Sequence, residues 1–258
     1  MICVNNQKLV PNKFPDGTLR LNITPISGSV ELLWQFEDNE ELVMLYFAVK
    51  HLRDHGATKL TLRMPYIPNA RMDRVKNEDE VFTLKYFAEF INSLQFDRVV
   101  VRDPHSAVSS QFIQRLECED IRPGILKLCD SLLTSKDVVF FPDAGSCKRY
   151  QADINCPFIY GVKERDWKTG KILGLRVEGD LPSTPFNVLI IDDISSYGGT
   201  FYHSAKKLKE LGADKIWLYV THCENSVLEG ELIKSGLVEK IYTTPSVFTK
   251  HHPLVEII

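Results

Sequence analysis

Long apolar runs are missing from this chain of 258 residues: the longest, residues 42–49, stops at Lys50 after eight residues, far short of the roughly 20 needed to cross a bilayer. The opening Met1-Ile2-Cys3-Val4-Asn5-Asn6-Gln7-Lys8 has no basic segment leading into an apolar one, so no secretory signal is expected. Cys3, Cys118, Cys129, Cys147, Cys156 and Cys223 form no C-x-x-C pair and no zinc-like spacing. Free thiols in a reducing compartment follow, with the cytoplasm as the expected location. Neither sign of charge is in excess. The 31 Lys and Arg against 34 Asp and Glu leave a formal net charge of -3, which supplies no field for wrapping a nucleic-acid backbone. Neither nucleic acid nor a membrane is an expected partner. With 44% hydrophobic and 25% charged residues, the composition is that of an ordinary folded protein, long enough for one large domain or two of about 130 residues.

What is present is alternation. Residues 40–53 read as a helix with a wide apolar stripe, closed by basic residues and Gly56. A strand at 59–64, a polar loop through Asn77, a helix at 83–94 with Leu84, Phe87, Ala88 and Ile91 on one side, and a β-branched strand at 97–102 follow. The second half repeats the theme: helix at 124–133, strands at 138–141, 158–162 and 188–191, helix at 200–211 closed by Gly212, strand at 215–220, and a last helix and strand through Tyr242. Apolar runs separated by helices predict parallel sheets covered on both faces. In such sheets ligands bind where strands give way to loops at their carboxyl ends.

Four such ends, and one hairpin, carry chemistry. In Val188-Leu189-Ile190-Ile191-Asp192-Asp193-Ile194-Ser195-Ser196-Tyr197-Gly198-Gly199-Thr200, a buried strand delivers two carboxylates, and a glycine pair then lets the backbone curl into a helix start. Such a loop suits a sugar phosphate, with carboxylates for the ribose hydroxyls and amides plus the Thr200 hydroxyl for the phosphate; a capped strand-turn-helix is the plain alternative. In Phe140-Phe141-Pro142-Asp143-Ala144-Gly145-Ser146-Cys147-Lys148-Arg149, small residues allow close approach to a polyphosphate and Asp143 offers oxygen to a hard divalent cation. A capped helix with solvated Lys148 and Arg149 fits equally.

Val99-Val100-Val101-Arg102-Asp103-Pro104-His105 ends in a histidine, by itself more often a hydrogen bonder than a metal ligand. Met64-Pro65-Tyr66-Ile67-Pro68-Asn69-Ala70-Arg71-Met72-Asp73-Arg74 brackets an aspartate with two arginines, residues apt for forked bonding to phosphate or for a solvated ion pair. Val162-Lys163-Glu164-Arg165-Asp166-Trp167-Lys168-Thr169-Gly170-Lys171 reads as a basic hairpin that could close over polyphosphate or stand in solvent. His51 and His55 have a metal-compatible spacing, but their place in a last helical turn favours a structural role.

Taken in order, these segments resemble the ribose-phosphate diphosphokinases, or PRPP synthetases, from Phe14 onward. Phe14-Pro15-Asp16-Gly17 is similar to that family's adenine-side loop, Asn69-Ala70-Arg71-Met72-Asp73-Arg74 to its ATP-binding segment, and Asp103-Pro104-His105 to its metal-binding Asp-Leu-His. Pro142 to Arg149 resembles its pyrophosphate loop, Lys163-Glu164-Arg165 its flap, and the Asp192-Asp193 loop its ribose-phosphate loop.

The resemblance implies an α/β fold of two related three-layer domains with mainly parallel sheets, of the type I phosphoribosyltransferase kind. The expected break lies near Pro123-Gly124, giving domains 1–123 and 124–245, with the tail 246–258 returning to the first. It also implies that the anomeric hydroxyl of a ribose 5-phosphate attacks the β-phosphorus of ATP and releases AMP. In that scheme His105 and Asp143 hold Mg2+; Phe14, Asp16, Arg71, Asp73 and Arg74 bind ATP; Lys163 and Arg165 close over the transferring group; Asp143, Ala144, Gly145 and Ser146 line the pyrophosphate loop; and Asp192, Asp193 and Ser195 to Thr200 hold the ribose phosphate.

Departures bear on the acceptor. Ser196 and Tyr197 stand where the family's ribose-phosphate loop has an acid and a threonine. A less acidic cradle beside an aromatic ring would suit a ribose extended at its 5 end, such as ADP-ribose. Thr18 replaces an acid in the adenine-side loop and Ser146 a glycine, and the chain is expected to lack the strand and helix that precede Phe14 in the family. A homo-oligomer, a dimer rather than the family's hexamer, is the corresponding expectation. A phosphoribosyltransferase or a non-catalytic regulatory subunit would share parts of the pattern. The Arg71 and Lys163 segments argue against the first, and retention of His105, Asp143, Lys163 and Arg165 against the second.

Overall fold

The computed structural model describes residues 1–165 and 172–258, with the side chains of residues 153, 163–165, 172 and 173 outside that description. It divides into two compact units, Met1–Asp120 and Ile121–Ile258. Each has its own sheet and core.

The first unit contains β1 (Ile2–Val4), β2 (Gln7–Lys8), β3 (Asn12–Lys13), β4 (Leu19–Arg20), β5 (Gly28–Trp34), α1 (Glu40–Asp54), β6 (Ala57–Arg63), α2 (Thr83–Ser93), β7 (Arg98–Arg102), α3 (Ala107–Phe112) and β8 (Leu116–Glu119). β5, β6, β7 and β8 lie side by side in parallel, and β1 then β2 extend the sheet antiparallel beyond β5. β3 and β4 make a separate hairpin. α1 buries Met44, Leu45, Ala48, Val49 and Leu52, and α2 buries Leu84, Phe87, Ala88 and Ile91, the spacing that puts side chains on one helical face. Beyond α1 the chain turns through Gly56 at φ 89°, a conformation that glycine adopts without steric cost. Glu41, buried in the first turn of α1, accepts the Trp34 Nε1–H at 2.9 Å and the Glu37 N–H at 2.9 Å. That satisfies an otherwise costly buried carboxylate and ties α1 to the end of β5.

The second unit contains α4 (Arg122–Leu132), β9 (Val138–Phe141), α5 (Ala144–Tyr150), β10 (Phe158–Arg165), β11 (Ile172–Glu178), β12 (Phe186–Ser195), α6 (Gly199–Glu210), β13 (Ala213–Cys223), α7 (Glu231–Ser235), β14 (Lys240–Thr243) and β15 (Val255–Ile257). Its sheet runs β11-β10-β9-β12-β13-β14-β15, and β11 is antiparallel to β10 whereas the remaining neighbours are parallel. Along β12, Val188 and Ile190 join one buried cluster with Phe201, Ala205 and Leu208 of α6, while Leu189 and Ile191 join another with Ile125 and Leu128 of α4 and Tyr150 of α5. A continuous apolar run is therefore buried on both faces, which makes this unit three layers deep.

Two expectations are corrected. A strand does precede Phe14: Ile2, Cys3 and Val4 are buried against β5, in register with Trp34, Leu33 and Leu32. The tail 246–258 does not return to the first unit, because β15 pairs in parallel with β14 and continues the second sheet. Its Ile258 N–H reaches the Thr243 carbonyl at 2.9 Å. Among the described residues no helix is long and apolar enough to cross a membrane. All six cysteines are free thiols.

Candidate active site

In the first unit two loops leave the carboxyl ends of neighbouring parallel strands. The loop after β6 is rooted by buried Ile67 and Ala70, with Asn69 in the left-handed region (φ 63°) between them. Asparagine tolerates that conformation better than most residues. The anchor leaves Arg71 and Arg74 exposed and Asp73 half-buried, with Arg74 Nε 3.4 Å from Asp73 Oδ1. The loop after β7 begins with buried Asp103 at φ 41°, followed by half-buried His105. The Arg102 N–H donates to the Pro65 carbonyl at 2.9 Å, joining the two loops at their roots.

The β3–β4 hairpin carries Phe14, half exposed, and Asp16, whose Oδ1 accepts the Thr18 hydroxyl at 2.7 Å and the Thr18 N–H at 3.0 Å. These bonds, the hydroxyl's above all, hold the Asp16 carboxyl below its usual range. Thr18, in the place of an acid, thus closes the turn around Asp16.

In the second unit Asp143 ends β9 and caps α5. Its Oδ1 accepts the Gly145 N–H at 2.9 Å and the Ser146 N–H at 3.1 Å, while the Asp143 N–H donates to Ser146 Oγ at 3.3 Å. This reciprocal box explains why a serine stands at 146. Arg149, further along α5, lies 3.3 Å from the buried Asp193 carboxylate at the end of β12. Burial, then the negative charge of Asp193 and, more weakly, that of Asp143, push the Asp192 carboxyl well above the usual range. Three acids and an arginine thus share the carboxyl ends of two adjacent strands.

Beyond Ser195 the chain turns through Ser196, Tyr197 and Gly198 into α6. Gly198 is left-handed (φ 76°), Gly199 and Thr200 open the helix, and Tyr197 points outward with 59% exposure. The turn is braced by residues that no local motif distinguishes. The Glu224 N–H donates to the Ser195 carbonyl at 2.8 Å, and Glu224 Oε2 accepts the hydroxyls of Ser196 at 2.7 Å and Ser226 at 3.3 Å. The Glu224 carboxylate, on the residue that follows β13, thus stands beside position 196, where the chain itself has a serine. Glu224 is a residue of this turn's surroundings that sequence reasoning did not single out, and Arg149, named there only as part of the Pro142–Arg149 segment, was not linked to Asp193. Parallel pairing of Ser195 with Cys223 is the relation that would have pointed to Glu224.

Lys163 and Arg165 lie in β10, their side chains outside the described residues, as are Asp166, Trp167, Lys168, Thr169, Gly170 and Lys171 of the expected flap. β10 approaches the end of β9 closely at Gly161, where an added β-carbon would sit 2.6 Å from the Pro142 carbonyl oxygen.

No protein-family model matches the chain. Among curated proteins it is 32% identical over 241 residues to ribose-phosphate pyrophosphokinase 2 of Archaeoglobus fulgidus, covering 90% of this chain and 82% of that one. It is 28% identical over 248 residues to the ribose-phosphate pyrophosphokinase of Sulfolobus acidocaldarius, covering 92% and 84%. Among solved structures, phosphoribosylpyrophosphate synthetase from Mycobacterium smegmatis shares the fold with a TM-score of 0.83 at 18% identity, covering 97% of this chain and 85% of that one.

Proposed function

The chain belongs to the ribose-phosphate pyrophosphokinase family, and from that premise we propose that it transfers the β,γ-diphosphate of ATP to the anomeric hydroxyl of ribose 5-phosphate. The anomeric oxygen bonds to the β-phosphorus, the bond from that phosphorus to the α-phosphate oxygen breaks, and AMP and a proton leave. The observation that carries this reading is the grouping of Asp143, Asp192, Asp193 and Arg149 at the ends of β9 and β12, next to a glycine turn.

The residues divide the work by their chemistry. Asp192 and Asp193 present carboxyl oxygens to the ribose hydroxyls, with Asp193 held beside Arg149. The backbone N–H groups of Gly198, Gly199 and Thr200 take the 5-phosphate, because successive amides at a left-handed turn face one anion. Arg71 and Arg74 are held out by a buried root to grip ATP phosphates, and Phe14 and Asp16 supply the adenine side. Lys163 and Arg165 are read as cations closing over the transferring group, where fixed positive charge lowers the barrier for charge spread over phosphoryl oxygens.

Among the described residues no set of three or more His, Cys, Asp or Glu side chains is arranged to hold a metal alone. That suits magnesium, which commonly takes one or two carboxylates and completes its shell with substrate oxygens and water. Asp143, whose negative charge adds to that around Asp192, would offer Mg2+ a carboxylate oxygen in the second unit; for His105, in the first unit, a metal-binding role is suggested by the family likeness alone. When bound, the ion neutralises phosphoryl charge.

The Glu224 carboxylate beside Ser196 supports ribose 5-phosphate over ADP-ribose as acceptor, while the outward ring of Tyr197 favours ADP-ribose. Purified protein given ATP, Mg2+ and either acceptor should release AMP faster with ribose 5-phosphate. Equal rates would remove this preference, and release that requires a nucleobase would point to a phosphoribosyltransferase. Lys163→Ala should abolish turnover while ATP binding persists; an unchanged rate would sink the assignment of Lys163. We further read the protein as a homo-oligomer of a reducing compartment such as the cytoplasm, a state that light scattering on the eluted protein tests.

A further inference from the structure

The ribose-phosphate turn is held from a part of the chain that belongs to no motif. Ser196 has a single hydroxyl proton, and at 2.7 Å it goes to Glu224 Oε2. That oxygen also receives the Ser226 hydroxyl, and the two serine oxygens lie 3.3 Å apart. The Glu224 N–H bond to the Ser195 carbonyl at 2.8 Å carries the pairing of β12 with β13 one step beyond Cys223. Glu224 thus grips two consecutive residues of the turn, one through its backbone and one through its carboxylate. With its proton committed, Ser196 has none to offer a phosphate, so the anion falls to the backbone N–H groups that follow and to the Thr200 hydroxyl. Their direction depends on where Ser196 is pinned. A charged acceptor makes that bond stronger than a neutral one would.

We propose that Glu224 is a positioning residue for the acceptor: by holding the Ser196 hydroxyl it keeps the N–H groups of the Gly198-Gly199-Thr200 turn aimed at the acceptor's phosphate. This rests on the reading that the turn binds the 5-phosphate of a ribose. The residue acts through Ser196 and does not itself touch the substrate. Its effect falls on acceptor affinity and spares the ATP side.

The test is steady-state kinetics on the full chain with ATP, Mg2+ and ribose 5-phosphate, for wild type, Glu224→Ala, Glu224→Gln, Ser196→Ala and the Ser196→Ala/Glu224→Ala pair. Glu224→Ala should raise the KM for ribose 5-phosphate about tenfold, the size expected for one hydrogen bond to a charged group, with the KM for ATP within about twofold. Ser196→Ala should do the same, and the double variant should be no worse than either single one, because one bond cannot be lost twice. Glu224→Gln keeps an acceptor oxygen in place and should recover most of the acceptor affinity. An unchanged acceptor KM in Glu224→Ala, independent effects in the double variant, or Glu224→Gln as impaired as Glu224→Ala would overturn the proposal. Absence of ribose 5-phosphate turnover in the wild type would overturn the functional reading and the proposal together, whereas normal wild-type turnover with an unaffected Glu224→Ala removes the proposal alone. Melting curves of Ser196→Ala and Glu224→Gln, both close to isosteric, separate a lost fold from a misplaced turn.

Discussion

Gly230 faces the carbonyl oxygen of Tyr197 so closely that an added β-carbon would sit 1.8 Å from it. Its own backbone is extended (φ -79°, ψ 165°), a conformation any residue adopts, so glycine is required there for space alone. The segment that leads into α7 is thus the floor on which the turn after β12 rests.

Gly230→Ala should therefore push Tyr197 away, at a cost of about 1–3 kcal/mol for overpacking, and raise the acceptor KM with it. Gly236→Ala is the control: φ there is 65° with nothing within 4 Å of an added β-carbon, so it should cost about 1 kcal/mol of strain and leave the acceptor KM alone. Thermal melts with acceptor titrations check both, and a normal acceptor KM in Gly230→Ala would show that the floor does not shape the turn.

Asp192 predicts a pH-dependent stability. Its carboxyl is raised in the folded chain by burial, then by Asp193, so the protonated form is the one folding favours. The stability tied to it is complete below the unfolded value, about 3.9, and is lost as pH climbs toward the raised folded value. Asp192→Asn does not titrate and keeps an acceptor for the Asp193 N–H, which Asp192 Oδ1 receives at 3.0 Å. The variant should melt higher than wild type at pH 8, by less at pH 5, and lose acceptor binding throughout. A constant difference in melting temperature between the two pH values would contradict this.

Arg149 and Asp193 should behave as a coupled pair. Asp193 is 5% exposed, and the Arg149 side chain, 3.3 Å away, is 30% exposed, so removal of the guanidinium takes compensation from a buried carboxylate. After a discount for the arginine's exposure to solvent, Arg149→Ala should cost about 1–3 kcal/mol in urea unfolding. Arg149→Ala/Asp193→Asn should cost less than the sum of the single changes; strict additivity would separate the two residues energetically.

Thiol labelling should follow burial. Cys129 and Cys223 are buried and their thiols are pushed up to about 12, by desolvation foremost, so alkylation at pH 8 should miss both until denaturant is added. Cys118 is exposed, though its thiol is also raised by burial and then by Asp103, and it should label in the native protein more slowly than free cysteine. Mass mapping of alkylated peptides decides this, and early labelling of Cys223 would contradict the packing at the end of β13.

Much was legible before any tertiary contact. The face of α2 formed by Leu84, Phe87, Ala88 and Ile91 follows from apolar periodicity and the strand Val138–Phe141 from an unbroken apolar run, and the small residues after Asp143 fit its place as a helix cap. β5 carries a sequence signal too, since Val30, Leu32 and Trp34 alternate with more exposed neighbours. β8, Leu116–Glu119, had none: its residues are partly or fully exposed, and pairing with β7 alone makes it a strand.

The order of residues by itself determined the alternation of helix and strand, the placing of acids and glycines at strand tips, and the absence of a long apolar span, because each is set within one turn of helix or a few residues of strand. Only the tertiary structure decided that Glu224 grips Ser196 across 28 positions, that Arg149 meets Asp193, and that the tail joins the second sheet. Those relations depend on which strands lie side by side and in what register, and register is a property of the whole packed sheet that no short window of residues contains.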